Sequence, residues 1–126
     1  VDYKTGGNPK IPANIEQLFT PSETRPNYIF QTFLYASIMC RQQTLKVAPA
    51  LLYIHRAASD SYSPVIEMGE PRQPKIPVNN FTFFEDEFRK RLQTLLEEIF
   101  SENEPFTQTE DIKKCSYCDF KAICKR

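Results

Sequence analysis

With 126 residues, the chain is long enough for one domain with a hydrophobic core and too short for two comfortable ones. Its make-up, 40% hydrophobic and 25% charged, is ordinary for a globular protein, and 16 acids against 16 bases exclude a global positive field for nucleic acid, so any such contact has to come from a local patch. No apolar run approaches the length of a membrane span, and no stretch reads as a signal peptide.

Residues 1–5 are β-like and read as the middle or end of a strand, so the chain is expected to be a fragment of a longer polypeptide. Gly6-Gly7-Asn8-Pro9 breaks that strand. Pro12, Pro21 and Pro26 predict a loop over residues 10–27, with at most one short helix around Ala13–Phe19. Pro26-Asn27 is a helix-start signal. Beyond it Phe30, Phe33, Leu34 and Ile38 recur at helical spacing, and Ile29 and Cys40 widen the apolar face, which predicts a helix from Tyr28 to about Gln43. Val47–His55 is aliphatic and bounded by turns, a buried-strand pattern, and Ser61–Met68 is expected to hold a second, shorter strand. Glu70–Pro77 is proline-rich and expected to be a loop, and Phe81–Phe84 either starts a strand or caps the next helix. Phe84, Phe88, Leu92, Leu95, Leu96, Ile99 and Phe100 share one face, predicting a helix from Phe84 to about Phe100. Glu102–Asp111 is a polar connector into a cysteine cluster, and the chain carries no internal repeat and no low-complexity tract.

Three local patterns can carry chemistry. Alternate side chains of a strand share a face, so Asp2 and Lys4 point together while Tyr3 points to the other side. A carboxylate holds a hard divalent cation, and an adjacent ammonium orients an attacking water or steadies a phosphate oxygen, which suits metal-assisted phosphodiester hydrolysis. Taken alone, Asp-x-Lys is more often a polar strand end at a turn. Gln31 and Tyr35 are four apart on the first helix and stack on one face, where both can hydrogen-bond to a phosphate or a base edge. In isolation the same pair is the polar border of an amphipathic helix. Cys115, Cys118 and Cys124 form a Cys-x2-Cys-x5-Cys cluster, the spacing of thiolates around one metal centre, zinc or iron–sulfur, with a fourth ligand owed.

The remaining signals are weaker. Three of the four cysteines crowd into ten residues, which favours metal ligation in a reducing compartment over disulfides and makes the cytoplasm the default location. Cys40 is the one further cysteine, and on its helix it reads as a buried residue before it reads as a ligand. Lys113, Lys114, Lys121, Lys125 and Arg126 face only Asp119 near the C-terminus, a basic stretch equally consistent with a solvated tail. His55 is the single histidine, expected as a packed or edge residue of the strand, and no serine or histidine triad can be built. Gly6-Gly7 lacks the spacing and the following lysine of a phosphate loop.

Asp-Tyr-Lys-Thr-Gly, then Gln-x-x-x-Tyr on a helix, then Cys-x2-Cys-x5-Cys, in that order, resembles the RecB-like branch of the PD-(D/E)XK nuclease superfamily. More narrowly it resembles the iron–sulfur members, such as the AddB-type C-terminal nuclease domain of helicase–nucleases. The resemblance spans residues 1–126, although its motifs occupy a small part of them. It implies an α/β fold: the C-terminal part of a restriction-endonuclease-like domain, a small mixed sheet with flanking helices. It implies that Asp2 is a metal-binding acid and Lys4 the catalytic lysine, with the Tyr3 backbone carbonyl a further ligand to Mg²⁺ or Mn²⁺. Gln31 and Tyr35 would help position DNA and the lysine. Cys115, Cys118 and Cys124 would be three of four ligands to a structural [4Fe–4S] cluster. In the family the fourth cysteine and a further metal-binding acid lie upstream of Asp-x-Lys, so these 126 residues alone are expected to cut DNA slowly, if at all. The implied function is exonuclease-type DNA hydrolysis in repair or recombination, beside the helicase portion or subunit of a helicase–nuclease and with no membrane partner. The rival reading is a non-catalytic interaction module with a zinc-bound cysteine cluster, Cys40 as fourth ligand, and a degenerate Asp-x-Lys.

Overall fold

A computed structural model describes residues 1–42, 46–103, 105 and 107–125; Gln43, the expected end of the first helix, and Arg126 of the basic stretch lie outside the described residues. The chain divides into two units, Val1–Leu96 and Glu97–Arg126. In order, the elements are β1 (Asp2–Lys4), α1 (Glu16–Phe19), α2 (Asn27–Gln42), β2 (Leu51–Tyr53), a 3-10 turn at Ile54–Arg56, β3 (Glu67–Met68), β4 (Ile76–Pro77), α3 (Thr82–Ile99) and α4 (Ile112–Ser116). This is the mixed α/β class expected, with its strands in two short sheets.

Local chemistry sets the element ends. β1 stops at the double glycine, where Gly7 takes φ of 81°, a region open to glycine at no steric cost. Asn14 Oδ1 accepts the Gln17 N–H at 3.1 Å while Gln17 Oε1 accepts the Ala13 N–H at 2.8 Å, a reciprocal cap that starts α1. Pro26, which has no N–H to satisfy, lends its carbonyl to the amides of Ile29 and Phe30 and opens α2. Asn80 Oδ1 accepts both the amide and the hydroxyl of Thr82, so Phe81–Phe84 caps and begins α3 instead of forming a strand.

Parallel strands need a crossover, and α2 supplies it between β1 and β2. The register pairs Asp2 with Leu51, Tyr3 with Leu52 and Lys4 with Tyr53. The strand expected over Val47–His55 is shorter: β1 offers three residues to pair, and the chain then curls into the 3-10 turn, which leaves His55 exposed there and not on the strand. On the far edge of β2 the Tyr62 hydroxyl donates to Leu51 O at 2.7 Å and accepts the Tyr53 N–H at 2.8 Å, standing where a ladder partner would be. The strand expected at Ser61–Met68 reduces to Glu67–Met68 plus a single bridge from Ala50 to Val65. Ile76–Pro77, expected as loop, pairs antiparallel with β3 through Met68–Ile76 and Glu67–Pro77.

One core gathers Ile15, Leu18, Ile29, Phe33, Ala36, Leu51, Tyr53, Ile66, Met68, Val78, Phe81 and Phe88. At its centre the Phe88 ring of α3 lies 5.3–6.0 Å, centroid to centroid, from Phe19, Phe30, Phe33 and Phe81, in tilted and edge-on geometries. Such pairs add about 0.5–1.5 kcal/mol each beyond the area they bury. They fix α1, α2 and α3 together, and α2 in turn presents its other face to β1. In the second unit α4 is a single short helix followed by turns, with Gln108 Nε2 donating to Cys124 O at 3.2 Å. Among the described residues no helix is long and apolar enough to cross a membrane.

Candidate active site

Asp2 and Lys4 emerge on the same face of β1, as strand alternation demands, while the Tyr3 side chain is 64% exposed on the other. Their side chains meet: Lys4 Nζ lies 2.9 Å from Asp2 Oδ2, and the two side chains are 13% and 19% exposed. Helix α2 closes over this pair. Gln31 Oε1 accepts from Lys4 Nζ at 2.7 Å, and Gln31 Nε2 donates to the Tyr35 hydroxyl at 2.7 Å. An ammonium can only donate, so the carbonyl end of the Gln31 amide must face it and the NH₂ end must face Tyr35. Both ends of the amide are therefore engaged within the protein, one of them on Lys4.

Two residues that the motif spacing did not single out complete the arrangement. The Lys4 ammonium lies 4.5 Å from the centroid of the Tyr28 ring, a cation–π contact that fixes it from a further direction. Thr32, 4% exposed, directs its hydroxyl to Asp2 Oδ2 at 3.3 Å and to Tyr28 O at 2.8 Å, so one proton is shared between the carboxylate and the helix backbone. The signal that would have found them is positional: 28, 31, 32 and 35 fall at i, i+3, i+4 and i+7, one polar stripe of α2 beside the apolar stripe of Ile29, Phe33 and Ala36.

The donors suit a hard cation in part. Lys4 and Thr32 both use Oδ2 of Asp2, which leaves Oδ1 without a partner among the described residues. The Asp2 amide bonds to Ala50 O at 2.9 Å, so Asp2 and Lys4 are the strand residues bonded to β2, and in a parallel ladder the intervening Tyr3 turns its carbonyl to the other edge. That edge has no strand partner among the described residues. One carboxylate oxygen and one backbone carbonyl, both hard oxygens, fit part of a Mg²⁺ or Mn²⁺ shell. Among the described residues no three His, Cys, Asp or Glu side chains gather into a metal-holding group, here or at the cysteines. Cys115, Cys118 and Cys124 do share one turn-rich segment, where the Cys118 amide donates to Cys115 O at 3.2 Å, but their thiols do not converge into such a group. Cys40 is half-buried on α2, and burial first, then the charge of Glu85, pushes its thiol above the ordinary value.

A family model described as PD-(D/E)XK nuclease superfamily matches residues 1–125. No curated protein and no solved structure matches the chain. The short sheets flanked by helices, with the Asp-x-Lys strand joined to a parallel neighbour through α2, are consistent with the restriction-endonuclease-like fold of that superfamily.

Proposed function

The chain belongs to the PD-(D/E)XK nuclease superfamily, whose members are usually nucleases that use Mg²⁺ or Mn²⁺, and from that premise we propose that Asp2 and Lys4 serve an exonuclease-type DNA phosphodiester hydrolase of the RecB-like branch, acting in repair or recombination beside a helicase. The observation that carries this reading is the position of the Lys4 ammonium, fastened between Asp2 Oδ2, Gln31 Oε1 and the Tyr28 ring. Three oriented partners hold the ammonium at a set place, which is what a group that must meet a phosphate oxygen or an attacking water requires.

Asp2 Oδ1 and the Tyr3 carbonyl would hold the divalent metal as two of its ligands. When bound, the metal acidifies water and offsets charge on the phosphate. Lys4 has three N–H groups and spends one on Asp2 and one on Gln31, leaving the third for the phosphate or the water. Thr32 steadies the carboxylate, and Tyr35 holds the far end of the Gln31 amide. As water oxygen bonds to phosphorus, the bond to the leaving oxygen breaks, and the fixed ammonium faces the charge that grows on the phosphoryl oxygens.

The iron–sulfur cluster at Cys115, Cys118 and Cys124 rests on their spacing alone, and no catalytic role is assigned to it. The zinc-module alternative, with Cys40 as fourth ligand, is told apart by the metal that the protein holds. The deciding experiment is Mg²⁺-dependent cleavage of linear DNA by the full-length protein beside Lys4→Ala. Loss of about 10²- to 10³-fold in rate at unchanged folding is expected from removing one preorganised donor. Equal rates would reduce Asp2-x-Lys4 to a strand end.

A further inference from the structure

Three depressions adjoin one another along the loop that follows β1, and Lys10 lines all three. One, of about 260 Å³, is walled by Gly7, Asn8, Arg25, Asn27, Tyr28 and Tyr53 among others. Its Tyr28 wall is the ring that the Lys4 ammonium packs against, so one ring links this depression to the candidate catalytic lysine, which does not itself line it. Gly7 permits that closeness, because a Cβ there would stand 2.9 Å from Tyr28 Cε2. Arg25 also lines the second depression, of about 360 Å³, and Arg56 and His55 line the third, of about 340 Å³.

The cations of this track are each oriented by neutral acceptors. Lys10 Nζ donates to the carbonyls of Thr24 at 3.0 Å and Arg25 at 3.2 Å. Arg25 Nε donates to Asn27 Oδ1 at 2.8 Å, and Arg56 Nη2 to Asn8 Oδ1 at 3.1 Å. None of the three makes an ion pair among the described residues, and Glu67 is the one carboxylate in the lining of the three depressions. In a chain of zero net charge, three cations against one carboxylate give this lining a positive balance. The amino end of α2, which contributes Pro26 and Asn27 to the lining, adds to the same sign.

We propose that this groove carries the phosphodiester backbone of the DNA beside the scissile phosphate, with Lys10, Arg25 and Arg56 each neutralising a phosphate. The identity of the polymer rests on the nuclease reading. The arrangement fits a polyanion better than a free phosphate, because Arg25 and Arg56 line different depressions, with Lys10 common to all three.

The test is fluorescence anisotropy of a short labelled single-stranded oligodeoxynucleotide with the full chain in EDTA, repeated over a series of salt concentrations. The triple variant Lys10→Gln, Arg25→Gln, Arg56→Gln should bind about tenfold or more weakly, and the slope of log affinity against log salt should fall by about 2, at roughly 0.7 per lost phosphate contact. Arg89→Gln with Lys90→Gln on α3 should leave the slope unchanged, and the exchange Lys10→Arg, Arg25→Lys, Arg56→Lys should restore it. Should the glutamine triple variant fail a thermal-unfolding check, single Lys10→Gln and Arg56→Gln variants, each lowering the slope by about 0.7, take its place. No binding at low salt, an unchanged slope in the variants, or displacement by polyglutamate as easily as by unlabelled DNA would overturn the proposal. Lys4→Ala separates the two readings. Cleavage lost with the slope intact supports both, and cleavage that persists in Lys4→Ala while the slope still depends on the groove overturns the nuclease centre and leaves the groove standing.

Discussion

Replacing Gln31 by leucine removes a carbonyl that accepts from Lys4 at 2.7 Å and an NH₂ that donates to Tyr35 at 2.7 Å, at nearly constant side-chain volume. The ammonium keeps its contact with Asp2 at 2.9 Å and with the Tyr28 ring, so it stays in the site but gains freedom to swing. A hydrogen bond to a charged group is worth about 1.5–3 kcal/mol. If that energy is what holds the nitrogen in its reactive place, kcat should fall roughly ten- to hundredfold, since about 1.4 kcal/mol is a factor of ten. KM should change little, because neither end of the amide is aimed at open surface. Tyr35→Phe removes only the acceptor at the far end of the chain, on a residue 47% exposed, and should cost about fivefold or less. Steady-state cleavage of a labelled linear DNA by the full-length protein measures both. A Gln31→Leu protein that keeps kcat within twofold while folding normally would refute the positioning argument. A rise in KM with kcat unchanged would assign Gln31 to DNA binding.

Phe88→Ala empties the centre of a ring cluster in which Phe88 is 0% exposed, and should lower stability by about 3–5 kcal/mol in urea unfolding followed by circular dichroism; a loss under 1 kcal/mol would mean the cluster collapses around the gap. The Tyr53 phenol is raised above its ordinary 10.0 by burial first, then by the charges of Tyr62, Tyr28 and Asp2. The unfolded chain then releases that proton at lower pH than the folded one, so the contribution to stability is full below about pH 10 and is lost as pH rises through the folded value. Tyr53→Phe should flatten that alkaline decline in the urea midpoint, and an identical decline in both proteins would count against it. The full-length protein purified without oxygen should hold iron and acid-labile sulfide that Cys118→Ser loses, whereas a colourless zinc protein would favour the interaction module.

What the sequence displayed was what repeats along a single element. The period of two in β1 put Asp2 and Lys4 on one face, and the spacing of four on α2 stacked Gln31 over Tyr35. The long helices were legible for the same reason, their apolar stripes recurring over many turns, and the core they build through Phe33 and Phe88 follows those stripes. The short strands were not. Val47–His55 has the composition of a full strand, but its paired length is set by a partner three residues long, a fact that lies in β1. Ile76–Pro77 pairs only because Glu67–Met68 lies opposite, which overrides the reluctance of proline to enter a ladder.

The same distinction separates the two halves of the candidate site. Asp2, Lys4, Gln31 and Tyr35 belong to regular elements, and so does the stripe that adds Tyr28 and Thr32. Lys10, Arg25 and Arg56 sit in loops and a 3-10 turn, where no period relates one position to the next, and a global charge of zero conceals them. They become a group only because the backbone carbonyls and amide side chains that orient them carry no charge. A carboxylate at position 8 or 27 would make an ion pair with Arg56 or Arg25 and quench the groove without moving a residue. Asn8 and Asn27 thus keep the hydrogen bonds and omit the charge, and that choice of amide over acid is what the proposed polyanion groove requires.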